Sequence, residues 1–424
     1  MKRNIFCETR IRKNWLWLLV AVMALFGPTV LTSCSSDDDP ATEQLPEEEK
    51  QLPEARIYET VRYDKEKTTA YNFEYPSTDP FGKPVTLSGT ITVGDEVNAG
   101  SPARGLLLYN HFTVYRADQC PSKGDLDVQK AVTGSGLITV SADYYGFGVT
   151  EDKQQAYCIA AANAQASVDA LLAAKKLLPT LGLQWDDNVL FNVGYSQGGQ
   201  TSMGVVRLID QKYPDLHITW TMAGGGSYDI PETYRQMIAS DTSGMPSTVI
   251  SVLLAYNEYF QLGIPREQIF KEPVLSHIDE WVLSKKYSRS EIDDKVGSLS
   301  VSQFATPAML DLNSSLSQRY MEALEKDNLC KGWHPRSENH ILLVHNTKDI
   351  TVPVENTENL RRFLLEQGVP EGNISYHVSN MGKLPNRPAH EMGAVFFAIH
   401  AIEKVCECLD IKVWIDPNLF VNAL

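Results

Sequence analysis

Gly194-Tyr195-Ser196-Gln197-Gly198-Gly199 follows the apolar run Val189–Val193 and passes at once into a helical pattern. A serine on so sharp a strand-to-helix turn stands clear of its sheet, and the flanking glycines let strand and helix approach without a Cβ clash. The chemistry this arrangement serves is nucleophilic attack on a carbonyl. Ser196 is the candidate nucleophile, and the N–H of Gln197 is the candidate donor to the oxyanion that develops.

A serine hydroxyl at its free pKa is a weak nucleophile, so a histidine must take its proton and a carboxylate must orient that histidine. Around an elbow of this kind the partners follow in chain order serine, acid, histidine. Ile341–Val344 reads as a late strand, and Asp349 stands in the loop after it, ahead of a helix. Asp349 is the candidate acid. Of nine histidines, His345, His377, His390 and His400 lie in or beyond that strand. His345 is too close to Asp349 along the chain, His377 falls inside a strand pattern, and His400 sits mid-helix on an apolar face and reads as core. His390, after the Gly/Pro-rich stretch 382–388 and at the head of a helix, is the candidate base. A further oxyanion donor is expected from Asn110-His111-Phe112-Thr113, the loop after the Gly105–Tyr109 run. Asp143, Tyr144 and Tyr145 read first as a hydrogen-bonded loop scaffold, with the pocket rim as the alternative.

These residues need a frame. Short apolar runs at 105–109, 137–141, 189–194, 218–222, 341–344 and 374–378 suit parallel strands buried on both faces. Helical patterns separate several of them, at 152–178, 198–212, 354–366 and 391 to about 408. This alternation predicts an α/β fold with a mostly parallel, doubly wound sheet. Residues 57–93 alternate apolar and polar instead, and Pro80-Phe81-Gly82-Lys83-Pro84 reads as a hairpin turn, so an antiparallel leader enters the sheet. From 228 to 336 only helical patterns occur, cut by Pro231, Pro246, Pro265, Pro273 and Pro307. That stretch is predicted to be a helical cap, dividing a core of 56–227 and 337–424. Within it Leu253, Tyr256, Phe260 and Ile264 form an apolar stripe that must face either the cap's own core or a pocket.

At the start of the chain, Lys2, Arg3, Arg10, Arg12 and Lys13 precede an apolar stretch from Trp15 to Leu31. A basic beginning and a short apolar core predict a signal peptide over residues 1–33. Leu31-Thr32-Ser33-Cys34 resembles the lipobox of bacterial lipoproteins, which implies that Cys34 is acylated and holds the protein to a membrane. Ser35-Ser36-Asp37-Asp38-Asp39 is similar to an acidic surface-export tag, and 34–55 reads as a flexible tether. The expected location is the outer membrane, exposed at the cell surface.

Several motifs together resemble the secretory lipase family (lipase-A type) of α/β-hydrolases across roughly residues 70–405. They are Ser77-Thr78-Asp79 with Gly82-Lys83-Pro84, Ser88-Gly89-Thr90, Asp143-Tyr144-Tyr145-Gly146-Phe147-Gly148, the Ser196 elbow, Ala223-Gly224-Gly225, and His345-Asn346-Thr347-Lys348-Asp349 with Val352-Pro353. The resemblance implies an α/β-hydrolase fold, Ser196, Asp349 and His390 as the triad, and the N–H groups of Thr113 and Gln197 as the oxyanion hole. The chain departs from the family pattern at Phe112, where a glycine is usual, and again at Asn346. Phenylalanine does not easily adopt a glycine backbone, whereas asparagine tolerates the left-handed region better.

Composition narrows the partners. With 43% hydrophobic and 21% charged residues, the chain is neither disordered throughout nor a polytopic membrane protein. Lys plus Arg total 38 against 53 Asp plus Glu, a net −15; without residues 1–33 the balance is 33 against 52, or −19. Phosphate backbones repel such a protein, so the expected partners are an ester substrate (lipid, acylated small molecule or glycan) and a membrane reached through Cys34, not nucleic acid. Five thiols remain after Cys7 and Cys34, an odd number that leaves at least one free or paired outside the chain. One disulfide among them is compatible with export, and Cys406 and Cys408 read as buried packing. No His or Cys cluster has metal-ligand spacing, so neither metal nor cofactor is predicted. These readings converge on an envelope-tethered serine carboxylester hydrolase. The alternatives are a serine peptidase on the same fold and a non-catalytic surface-binding lipoprotein.

Overall fold

A computed structural model describes residues 52–124, 126–383 and 388–411. The predicted signal peptide, Cys34 and residues 34–51 of the predicted tether lie outside the described residues. Among the described residues nine strands make one sheet: β1 Arg56–Tyr63, β2 Thr68–Thr78, β3 Pro84–Gly94, β4 Leu106–Asn110, β5 Ile138–Ala142, β6 Leu190–Tyr195, β7 Trp220–Gly224, β8 Ile341–Asn346 and β9 Ile374–Ser379. Their order is β1-β2-β3-β5-β4-β6-β7-β8-β9. β1, β2 and β3 are antiparallel and join β5 antiparallel. From β5 to β9 every pairing is parallel. The predicted hairpin turn is real: the Asp79 carboxylate accepts the N–H groups of Phe81 (2.9 Å) and Lys83 (2.8 Å), and Gly82 takes φ +80°.

The described helices of eight or more residues are α1 Ala160–Leu177, α2 Gln197–Lys212, α3 Ile230–Ser240, α4 Pro246–Tyr259, α5 Arg289–Val296, α6 Ser315–Lys326, α7 Glu355–Glu366 and α8 Ala389–Cys408. Successive strand side chains point to opposite faces, so β8 sends Ile341 and Leu343 into a layer with Leu360 and Phe363 of α7. Leu342 and Val344 enter another layer, with Phe397 and Ala401 of α8, where Phe191, Val193 and Tyr195 of β6 join them. Helices on both faces explain why these strands read as continuous apolar runs.

Helix α1 was expected from residue 152 but begins at Ala160. The cap takes the intervening backbone for itself. The Lys285 ammonium donates to the carbonyls of Gly146, Glu151 and Lys153, and the Tyr259 hydroxyl donates to Gln154 O. Asp327 then accepts the N–H of Ala160 (2.6 Å) and of Ala161 (3.3 Å), a carboxylate capping the helix start. Between β7 and β8, helices α3 to α6 and shorter turns form the inserted cap. Among the described residues it carries no strand, only the isolated bridge Phe270–Ala305.

Candidate active site

Ser196 lies between the last residue of β6 and the first of α2, with φ 59° and ψ −121°, a conformation that non-glycine residues rarely adopt. Its N–H donates to Gly224 O (2.8 Å) on β7, and its carbonyl accepts the Gln200 N–H (3.0 Å), so sheet and helix both hold the turn. The surrounding glycines answer to close approach. A Cβ on Gly194 would sit 2.2 Å from Gly198 O, and one on Gly198 would sit 2.1 Å from Asn110 O.

The three candidate residues for proton transfer meet. His390 Nε2 is 2.8 Å from Ser196 Oγ, and His390 Nδ1 is 2.5 Å from Asp349 Oδ2. A carboxylate can only accept, so Nδ1 carries the hydrogen and Nε2 turns a lone pair toward the serine hydroxyl. The other Asp349 oxygen accepts the N–H groups of Thr351 (2.8 Å) and Val352 (3.0 Å). Burial alone pushes the Asp349 carboxyl up. The His390 imidazole, with further help from His345 and the Val352 N–H, outweighs that and holds it below the usual carboxylate range.

His345 is also near Asp349, with Nε2 3.7 Å from Oδ2, but its ring is committed elsewhere. Nδ1 accepts the Thr357 hydroxyl (2.6 Å), and Nε2–H donates to Val352 O (2.9 Å). Burial lowers its pKa. His400 is not core, as its pattern suggested. It is half-buried at the surface, paired with Glu403 at 3.1 Å and stacked on His377 at 4.2 Å. The buried stripe of α8 runs through Phe397, Ala401 and Val405, and His400 falls beside it.

Gln197 opens α2, and the first N–H groups of a helix have no acceptor within it. Thr113 is placed differently. Its hydroxyl shares a hydrogen bond with the Tyr157 hydroxyl (2.9 Å), and Tyr157 lines the cavity beside Ser196. Phe112 and Asn346 both keep negative φ, so neither departure from the family pattern strains the backbone. Asp143 is a scaffold: it accepts from Ser88 Oγ (2.6 Å), Ser122 Oγ (2.6 Å) and Ser122 N–H (2.8 Å), fully buried.

A cavity of about 330 Å³ opens from Ser196, Gln197 and Asp349 into the cap. Its apolar wall comes from Ile230, Met237, Met245, Val249, Val252 and Leu253, and hydroxyl-bearing residues such as Ser227, Thr233 and Thr248 complete it. The stripe Leu253, Tyr256, Phe260 and Ile264 is therefore mostly cap core. Only Leu253 reaches the cavity. Tyr256 is fully buried, stacks on Phe260 at 5.0 Å and donates to Asp327 Oδ2 (3.0 Å). Helix α4 ends at Tyr259, and Phe260 and Ile264 just beyond it pack into the same core as Tyr256.

Two residues that set the geometry were given no such role from sequence. The Tyr195 hydroxyl donates to His390 O (2.6 Å), and Asn346 Nδ2 donates to Ala389 O (2.7 Å). Strand parity is the signal that could have found them. Tyr195 continues Phe191 and Val193, and Asn346 continues Leu342 and Val344, toward the face that α8 covers. All five described thiols are unpaired, and Cys408 is exposed rather than packed because α8 ends there. Among the described residues no group of three His, Cys, Asp or Glu side chains could hold a metal ion.

The sequence matches the secretory lipase family over residues 125–393. No curated protein matches it significantly. The structure is similar to the rice cell wall degrading esterase LipA from Xanthomonas oryzae, at 20% identity and a TM-score of 0.68, covering 84% of this chain and 99% of that one. It is also similar to the closed state of Candida antarctica lipase A, at 15% identity and a TM-score of 0.61, covering 87% and 84%. At these identities the likeness is one of fold, with a mostly parallel sheet and helices on both faces. A family match over well more than half of its residues shows that the chain belongs to the secretory lipase family, ester-bond hydrolases built on the α/β-hydrolase fold.

Proposed function

We propose that the chain is a serine carboxylester hydrolase working through an acyl-enzyme, with Ser196 as nucleophile, His390 as base and Asp349 as orienting acid. The supporting observation is the continuous Ser196–His390–Asp349 hydrogen-bonded line, 2.8 Å then 2.5 Å, at the end of an apolar cavity. Ser196 Oγ attacks the ester carbonyl carbon while its proton passes to His390 Nε2. The carbonyl electrons become an oxyanion facing the N–H of Gln197, with Thr113 as second donor. Collapse expels the alcohol, which takes the proton from His390 and leaves the acyl group on Oγ. Water then attacks as His390 removes its proton, the acid departs, and Oγ regains its hydrogen.

A cavity of about 330 Å³ is near the lower end of ligand sites, and its described lining is mainly apolar and hydroxyl-bearing. That combination favours a neutral ester with a short to medium acyl chain. Turnover of p-nitrophenyl butyrate, with none of an aminoacyl-nitroanilide, is the expected result; faster anilide cleavage would replace this reading with a peptidase. Trimming Val249 and Val252 together to alanine removes apolar wall worth about 1.4 kcal/mol to a long chain. The KM for an octanoate ester should rise about tenfold, and that for an acetate ester far less, with kcat nearly unchanged. Equal changes on both esters would place the acyl chain elsewhere.

Envelope attachment through Cys34 belongs to the same proposal. It rests on the lipobox and basic leader, and two or more acyl chains supply about 0.8 kcal/mol per buried CH₂. Cys34→Ala should move the protein from the membrane fraction to the soluble one, or leave its leader uncleaved. Full retention in membranes of a cleaved variant would require another anchor.

A further inference from the structure

Three successive residues at the head of α8 are tied to three different segments. Ala389 O accepts from Asn346 on the acid-bearing strand, at 2.7 Å. His390 O accepts from Tyr195 beside the nucleophile, at 2.6 Å. The Glu391 carboxylate accepts from Arg289 Nη2, also at 2.7 Å, and Arg289 belongs to the cap. The base is thus held by both catalytic loops and by the inserted domain.

The cap contact continues toward the cavity. Arg289 Nη1 donates to Asp293 Oδ2 (2.7 Å), one turn further along α5. Asp293 Oδ1 accepts the N–H of Ser247 (2.8 Å), in the first turn of α4. That is the helix whose Thr248, Val249 and Val252 line the cavity. A single guanidinium therefore spans two carboxylates, one on the helix of the base and one bracing the acyl wall. The Arg289 and Glu391 side chains are 26% and 20% exposed, so solvent screens the pair less than it would a surface bridge. Glu391 lies in the first turn of α8, where the helix dipole favours a negative charge.

We propose that Arg289 is a positioning residue for His390: docking of the cap through the Arg289–Glu391 pair and correct placement of the base are one event. The proposal rests on His390 being the base. A point charge would not replace Arg289, because only the planar fork reaches both carboxylates at once. Displacing a base by a fraction of an ångström weakens proton transfer while leaving the acyl wall able to bind, so the loss should fall on kcat.

The experiment is a double-mutant cycle on the full-length protein, assayed with p-nitrophenyl butyrate alongside thermal unfolding. Arg289→Met and Glu391→Gln should each lower kcat about tenfold and change KM less than twofold. The double variant should be no slower than Arg289→Met, because that substitution already removes the contact whose charge Glu391→Gln takes away. Arg289→Lys should resemble Arg289→Met rather than wild type. A folded Glu391→Gln enzyme with wild-type kcat overturns the proposal, as do losses that multiply in the double variant. Glu391→Gln is isosteric and leaves Arg289 neutralised by Asp293, so it decides the matter even if Arg289→Met does not fold. His390→Gln separates the two levels. If it is inactive while Glu391→Gln is fully active, only the role of Arg289 fails; if it remains active, the assignment of the base fails first.

Discussion

Ser196→Ala is expected to lower ester turnover by about 10⁴- to 10⁶-fold while the protein still unfolds in a single cooperative transition. The loss is large because the hydroxyl is the only atom removed and the mechanism has no substitute for it. His390 would face a methyl group in place of an oxygen 2.8 Å away. The fold survives because the turn is held by its backbone: the residue 196 N–H still reaches Gly224 O and its carbonyl still accepts from Gln200. Alanine inherits the φ of 59°, so the strain is neither relieved nor increased appreciably. Initial rates on p-nitrophenyl butyrate and a melting curve check both halves. A fluorophosphonate, which phosphonylates an activated serine, should label the wild type and not the variant. A variant keeping a third of the wild-type rate would remove Ser196 from the reaction.

The second large effect is expected at Asp349. Its Oδ1 accepts two backbone N–H groups, from Thr351 and Val352, and its Oδ2 accepts from His390 Nδ1. In Asp349→Asn the side-chain oxygen stays with the two backbone donors, which turns the NH₂ group toward His390. Nδ1 must then accept, the hydrogen moves to Nε2, and the ring presents a donor to Ser196 instead of a lone pair. The wrong tautomer should cost about 10⁴-fold in kcat, with the fold retained but somewhat less stable. The pH dependence has a definite sign. The folded Asp349 carboxyl lies below its ordinary value, so the stabilisation it gives is present above the ordinary carboxylate range and is lost as pH falls through the folded value. Activity lost on mild acidification, above that range, therefore reflects a group other than Asp349. His390→Gln should abolish fluorophosphonate labelling, whereas His400→Gln, which alters the pair with Glu403 and the ring contact with His377, should label normally. Labelling lost equally in both would leave the base unassigned.

Much of this was readable along the chain. The elbow at Ser196, the strand preceding Asp349 and the helix opening at His390 each carry a local signature of a few residues, and chain order ranks the candidates. His345 shows where such reading stops. Its nearness to Asp349 in sequence excludes it, yet the structure places it 3.7 Å from the same carboxylate, facing α7 because strand parity turns it there. The stripe on α4 shows the same limit from the other side. Helical spacing could not say which layer Tyr256 would enter, and a buried hydrogen bond to Asp327 decided it.

What the sequence determined by itself is the set of parts: a buried parallel sheet, an antiparallel leader, a helical insertion, and three chemically suited residues in the right order. Periodicity and turn chemistry are properties of neighbouring residues, so they survive being read one segment at a time. Only the tertiary structure decided how those parts constrain each other. The start of α1 is set by a carboxylate 167 residues away, His390 is held by a tyrosine 195 residues away, and Glu391 is met by an arginine 102 residues away in the cap. Contacts at such separations leave no period in the sequence, because each is a single pair satisfied only when the sheet brings its strands side by side.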